Sequence, residues 1–296
     1  MPQNDTMPLN ALLLVLTAAL LHATWNIAAK KAGGDHRFAL IGAVMVCVLW
    51  APAALWFGWR EVPRWGLAEW AIVTLSAAVH VLYFNTLLRG YREADLTVVY
   101  PVARGSAPLV TAVAAIVLLG EPLSAAGVAG VLAVCGGVFL IAGGPRIWQG
   151  AHDKQRVHAG LRWGGMTGLL IAGYSVVDGY AVKVLLVGPV LLDYFGNLLR
   201  LPMLLPAAWR DRAGFGAALR TQWRYALVVA VLGPLGYVLV LYAVTMAPLS
   251  HVAPAREVSM LLAALLGGRL LGEHDRGLRL AGAACIAGGV VSLALG

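Results

Sequence analysis

The chain of 296 residues is 60% hydrophobic and 12% charged, against roughly 45–50% apolar and about 25% charged residues in an ordinary soluble domain. A soluble fold of this length cannot bury so much apolar surface, so the composition excludes an aqueous globular protein and makes lipid the solvent. The net charge of +8 does not point to nucleic acid, because the Lys and Arg residues fall in short gaps between apolar runs and form no basic stripe interleaved with aromatics.

Residues 1–8 carry no positive charge, and the apolar run that follows continues to about Ala29. That is too long for the core of a cleavable signal, so it is expected to be the first span. A span needs about 20 apolar residues. Ten runs near that size follow one another: 9–29, 38–58, 67–88, 95–119 and 125–143, then 163–184, 187–209, 223–245, 249–271 and 277–295. They are continuous rather than alternating, so they carry no β-barrel strand signal. The expected fold class is an all-α polytopic membrane protein of ten transmembrane helices. Cys47, Cys135 and Cys285 lie inside apolar runs and read as small packing residues, not as disulfide or metal ligands.

The chain repeats itself. Shifting it by 152 residues aligns Gly120-Glu121 with Gly272-Glu273, and 15 of the 42 pairs from 103/255 to 144/296 are identical. These include Ala103-Arg104 with Ala255-Arg256, and Gly136-Gly137-Val138 with Gly288-Gly289-Val290. The same offset places Asn26 on Asp178 and Lys31 on Lys183, while Ala94 and Pro101 match Ala247 and Pro254 at 153. The expected organisation is a first repeat at 8–144, a linker at 145–162 and a second repeat at 163–296. Five spans per copy is odd, so tandem copies insert in opposite orientations. That is the inverted arrangement of many secondary transporters, which hold solute near the midplane between the halves.

With these features the sequence resembles the drug/metabolite transporter superfamily, and within it the ten-span EamA branch. The likeness spans nearly the whole chain. It rests on the duplication, the Gly-Glu link before the last span of each half, and the polar first helix of each half. Those helices carry His22, Trp25 and Asn26 followed by Lys31, and Tyr174 and Asp178 followed by Lys183. The resemblance implies a secondary transporter of a small metabolite, driven by an ion or solute gradient, multi-pass in a bacterial inner (cytoplasmic) membrane.

Ionisable groups inside spans are costly and usually face a bundle interior or aqueous cavity. Six stand out, Arg104, Asp178, Asp193, Arg200, Arg256 and Glu257. His22 and Asn26 share a helical face, with Trp25 beside them; Tyr174 and Asp178 form the equivalent face. Solute lining and interhelical hydrogen bonding both fit, with Asp178 and Glu257 as proton-coupling candidates. Asp193, Asn197 and Arg200 lie on one face of span 7, where the first half has Ile41, Met45 and Val48. They fit either an asymmetric recognition site or side chains snorkelling to the headgroups. Arg104 and Arg256 follow Pro101 and Pro254. Proline frees helix carbonyls, and an Arg there can either grip a carboxylate or phosphate or form a structural pair. His80, Tyr83, Tyr100, Tyr237, Tyr242 and His251 can shape a cavity, whereas Trp50, Trp56, Trp59, Trp65 and Trp209 read as interfacial anchors. The glycines of spans 5 and 10 suit close packing, as scaffold or as a homodimer contact.

The expected partners are thus a small-molecule solute and the lipid bilayer, with no nucleic acid, metal or cofactor. Odd-numbered connections hold 16 Lys and Arg residues and even-numbered ones three, which by the positive-inside rule places both termini outside the cytoplasm. The family resemblance implies the reverse. A membrane enzyme is disfavoured, since the chain has no HExxH, no GxSxG and no His/Cys cluster at metal spacing. A non-transporting scaffold subunit remains an alternative.

Overall fold

Over their described residues the apolar runs form helices because, away from water, a helix satisfies every backbone N–H and C=O within its own segment. The computed structural model describes residues 7–32, 36–94, 96–142, 144, 154–209, 212–262 and 276–295. Its helices are α1 (Leu9–Ala32), α2 (His36–Glu61), α3 (Leu67–Glu93), α4 (Leu96–Leu119), α5 (Ala125–Ile141), α6 (Lys154–Lys183), α7 (Pro189–Trp209), α8 (Arg212–Met246), α9 (Leu249–Ala255) and α10 (Arg276–Leu295). A 3-10 turn, Val62–Arg64, joins α2 to α3. No strand occurs among the described residues. The Gly272-Glu273 link, linker residues 145–153 and residues 263–271 of the expected run 249–271 lie outside the described residues.

Six of these helices are long and apolar enough to cross a membrane by length and composition. The exceptions have plain causes. Helix α5 has 17 residues, α9 has seven, and α6 and α7 carry Asp178 and the Asp193/Asn197/Arg200 set. Two helices also run further than their apolar cores. Helix α6 begins at Lys154, inside the expected linker, and α8 begins at Arg212, where the apolar run starts near 223. Their first turns are polar and continue the helix past the apolar stretch.

The packing has two-fold character. Helix α1 packs along α8 as its counterpart α6 packs along α3, and α5 packs along its own counterpart α10. At that last contact, a Cβ on Gly130 would lie 2.8 Å from the Gly289 carbonyl oxygen, and one on Gly137 would lie 2.6 Å from that of Gly282. As numbering rises in α5 it falls in α10, so these equivalent helices run antiparallel. Only hydrogen side chains fit where the backbones come this close. The small faces of spans 5 and 10 are therefore largely spent on each other. Gly136 and Gly288 alone among the six face open space.

Consecutive helices alternate in direction, so their links gather at two ends. The α1–α2, α3–α4, α5–α6 and α7–α8 links, rich in Lys and Arg, mark one end, which we term the basic end. At the opposite end Gly120, at φ +66°, turns the chain out of α4, and the Glu121 N–H donates back to the Ala115 carbonyl at 3.3 Å. The left-handed backbone there suits glycine.

The tryptophans divide. Trp56 and Trp59 are 76% and 64% exposed, as anchors would be. Trp50 instead donates to the Ala230 carbonyl at 3.0 Å, and Trp65 packs edge-on against Trp70 and Phe195. The Trp209 side chain lies outside the described residues.

Candidate functional site

A cavity of about 430 Å³ occupies the centre of the bundle. Its wall is built from helical faces at three- and four-residue spacing. Helix α1 supplies His22, Trp25 and Asn26; α2 supplies Phe38, Gly42 and Val46; α3 supplies His80, Tyr83, Leu87 and Tyr91. Tyr100 and Arg104 come from α4, and Tyr174 from α6. The face Asp193, Asn197, Arg200 and Leu204 comes from α7, Gly233 and Tyr237 from α8, and Arg256 and Ser259 from the chain after α9. On α1 to α4 these positions lie in the half of each helix nearest the basic end, so the cavity runs from mid-bundle toward that end.

Two polar groupings set its electrostatics. In the first, Arg104 Nη2 lies 3.1 Å from Glu257 Oε2 and donates to Ser259 Oγ at 3.3 Å. The Arg104–Glu257 contact is an ion pair rather than a hydrogen bond, since Glu257 Oε2 receives no aligned N–H. In the second, the Tyr237 hydroxyl donates to Asp178 Oδ2, and His80 Nε2 stands 4.0 Å from that oxygen. His80 Nδ1 lies 2.9 Å from the Ser76 carbonyl oxygen, which requires Nδ1 to carry a hydrogen. Nε2 is then the nitrogen that gains or loses a proton, and it faces Asp178. The His80 ring stacks on Tyr174 with centroids 4.1 Å apart.

The other two cations, Arg200 and Arg256, make no close ion pair among the described residues, although Asp193 stands on the same wall as Arg200. The Arg256 guanidinium lies 5.8 Å from the centroid of the Tyr237 ring. Neither Arg256 nor Arg200 has a carboxylate within ion-pair distance among the described residues. Asn197 directs its amide to the Asp193 carbonyl at 2.8 Å, and Asn26 directs its own to the His22 carbonyl at 2.8 Å.

The model of the EamA-like transporter family matches residues 9–143 and again 159–295. The chain belongs to the EamA-like transporter family. It is accordingly a multi-pass membrane protein of transporter type, and the two matched segments are the two repeats. No curated protein matches the sequence. A known crystal structure superposes with a TM-score of 0.74 over 95% of each chain at 20% identity, a likeness that establishes the fold alone.

Within this family fold, thirteen sequence-derived candidates line the cavity: His22, Trp25, Asn26, His80, Tyr83, Tyr100, Arg104, Tyr174, Asp193, Asn197, Arg200, Tyr237 and Arg256. Asp178, 1% exposed, lies behind the wall, reached through Tyr237 and His80. Glu257 is likewise held behind Arg104. His251 is fully buried, outside the cavity, with Ser250 Oγ 3.3 Å from its Nδ1; Tyr242 is not part of the wall either. Asp193 and Arg200 both reach the cavity, so they do not snorkel away from it. Phe38, Tyr91 and Ser259 were not singled out by sequence, because an aromatic near a span end or a lone serine gives no periodic signal. Ser259 stands three residues beyond Arg256, one helical step along, and that spacing could have found it.

Proposed function

We propose that this protein is a secondary carrier of a small anionic or zwitterionic metabolite, crossing the membrane ten times as two inverted five-helix repeats. The single observation that supports this reading most is the charge inventory of the cavity. Glu257 pairs with Arg104, whereas Arg200 and Arg256 have no carboxylate within ion-pair distance among the described residues; Asp193 on the same wall gives the cavity both signs of charge and suits it to a zwitterion as well as an anion. An Arg fork with no internal partner is suited to a carboxylate or phosphate, and a desolvated cation in a membrane interior favours an anion in its place. The neighbouring rings of Trp25, Tyr83 and Tyr174 supply an apolar surface for the rest of the solute. Asp178 with His80 is the proton-coupling unit, fixed at the cavity floor through Tyr237. The charge bias of the links puts the basic end in the cytoplasm of a bacterial cell and both termini outside the inner membrane.

A ligand that binds the folded state raises its stability by RT ln(1 + [L]/Kd), about 2.7 kcal/mol at 100-fold excess over Kd. Amino acids, carboxylates and phosphonates are therefore screened for thermal stabilisation of the purified protein, with simple amines as the contrast. At least one acidic or zwitterionic compound should stabilise the wild type and fail to stabilise Arg256→Met. Stabilisation by amines alone would overturn the assignment.

A further inference from the structure

At the end of the bundle opposite the basic end, a carboxylate outside the cavity wall joins the two repeats. Glu121 comes from the α4–α5 link of the first repeat, and its side chain is fully buried. One oxygen lies 2.6 Å from Lys183 Nζ, at the end of α6. The same oxygen accepts the Leu249 N–H at 2.8 Å, and the other accepts the Ser250 N–H at 2.9 Å, so the carboxylate also caps the start of α9. Both partners belong to the second repeat.

A second carboxylate of the first repeat holds the same neighbourhood. Glu61 Oε1 accepts the Gly188 N–H at 2.7 Å. Between Lys183 and Gly188 the α6–α7 link places Leu186 at φ +56°, a backbone conformation that a bulky L residue keeps only under constraint. The link is thus pinned from both sides by groups of the other half. At the basic end Lys31, the counterpart of Lys183 in the repeat, is exposed.

We infer that Glu121, Lys183 and the first two N–H groups of α9 form a clamp that closes the end of the carrier opposite the cavity mouth. Four lines of geometry converge on it. The clamp joins the two repeats rather than two helices of one. Its carboxylate is shielded from water, so its charge interactions are screened much less by salt than those of a surface pair. It sits on α6 only five residues beyond Asp178, which lies behind the cavity floor. And the cavity wall lies toward the basic end, while the clamp lies at the other. Parting the clamp frees the α6–α7 and α8–α9 links together, and exposes the Asp178 side of the floor to the other compartment.

The inference rests on the carrier reading, but its test needs no solute. Cys47, Cys135 and Cys285 are replaced by Ala, and Gly233→Cys is introduced on the cavity wall, where an added Cβ meets no atom within 4 Å. A membrane-impermeant maleimide is then applied to sealed vesicles of each orientation. With the clamp intact, labelling comes from the basic end. In Glu121→Gln or Lys183→Met, labelling from the opposite end should rise by about 5-fold or more as the population shifts, while labelling from the basic end confirms the fold. Should Glu121→Gln fail to reach the membrane, Lys183→Met, which leaves the α9 cap in place, carries the same readout. Unchanged labelling from the opposite end, with normal labelling from the basic end, would overturn the clamp. That result would leave the carrier reading intact, to be judged by solute exchange.

Discussion

The Arg104–Glu257 pair offers the sharpest test of how the two halves are held across the cavity. Arg104 belongs to α4 of the first repeat and Glu257 follows α9 of the second, with 3.1 Å between Nη2 and Oε2. At an effective dielectric of about 20, two unit charges at that separation attract by about 5 kcal/mol, and desolvation takes back part of this. Removing one partner strands the other, a perturbation that costs about 3–5 kcal/mol in buried pairs. The Arg104 side chain is 16% exposed to the cavity, which places Glu257→Gln toward the lower figure, about 3 kcal/mol. For a chain of this size each kcal/mol moves the melting temperature by about 2 °C, so a fall of about 6 °C is expected. The assay is thermal unfolding in detergent at one fixed scan rate. Arg104→Met combined with Glu257→Gln should recover part of the loss, with a coupling of about 1.5 kcal/mol or more in the double-mutant cycle against the two single variants. A single variant within 1 °C of wild type, or no coupling at about the 0.5 kcal/mol limit of additivity, would refute the reasoning.

Asp178→Asn should abolish uphill accumulation driven by a proton gradient while sparing solute exchange across the membrane, measured in liposomes with and without an imposed pH difference. Gly137→Ala places a Cβ 2.6 Å from the Gly282 carbonyl oxygen and should cost about 1–3 kcal/mol by overpacking, read as a lower melting temperature; Gly136→Ala, which meets open space, should not. Glu121 lies in the link between α4 and α5; burial alone would raise its pKa, but Lys183 and the two α9 N–H groups more than offset that and hold it below its ordinary range. Its folded value being depressed, its contribution is complete above the unfolded value of about 4.3 and is lost as pH falls through the lower folded value. The ratio of closed-end to basic-end labelling of Gly233→Cys, which cancels the fall in reactive thiolate with acid, should therefore stay flat from neutral pH to about 5 and rise only in stronger acid; a rise centred above pH 5 would contradict this.

The sequence alone carried the helical class, the repeat and most of the polar groups on the cavity wall. Faces such as His22/Asn26 and Asp193/Asn197/Arg200 are legible because polar residues inside apolar runs keep helical spacing. Depth was not legible. Asn26 and Asp178 are equivalent in the repeat, yet inversion sends one toward the cavity mouth and the other behind the floor. A periodicity argument cannot tell those ends apart. Glu121 illustrates a different gap. Its recurrence with Gly120 marked the link, but its role depends on Lys183 and Leu249, distant in sequence and brought together only by packing. The polar starts of α6 and α8 were missed because apolar-run length measures lipid-facing chain, not helix.

The most direct test of the carrier account is counterflow. The protein is reconstituted in liposomes preloaded with an acidic or zwitterionic solute that stabilises it, and entry of the labelled solute is followed. The account predicts transient accumulation inside that requires the preload and is lost in Arg256→Met while Gly136→Ala retains it. Accumulation equal in protein-free liposomes, or undiminished in folded Arg256→Met, would contradict the central claim.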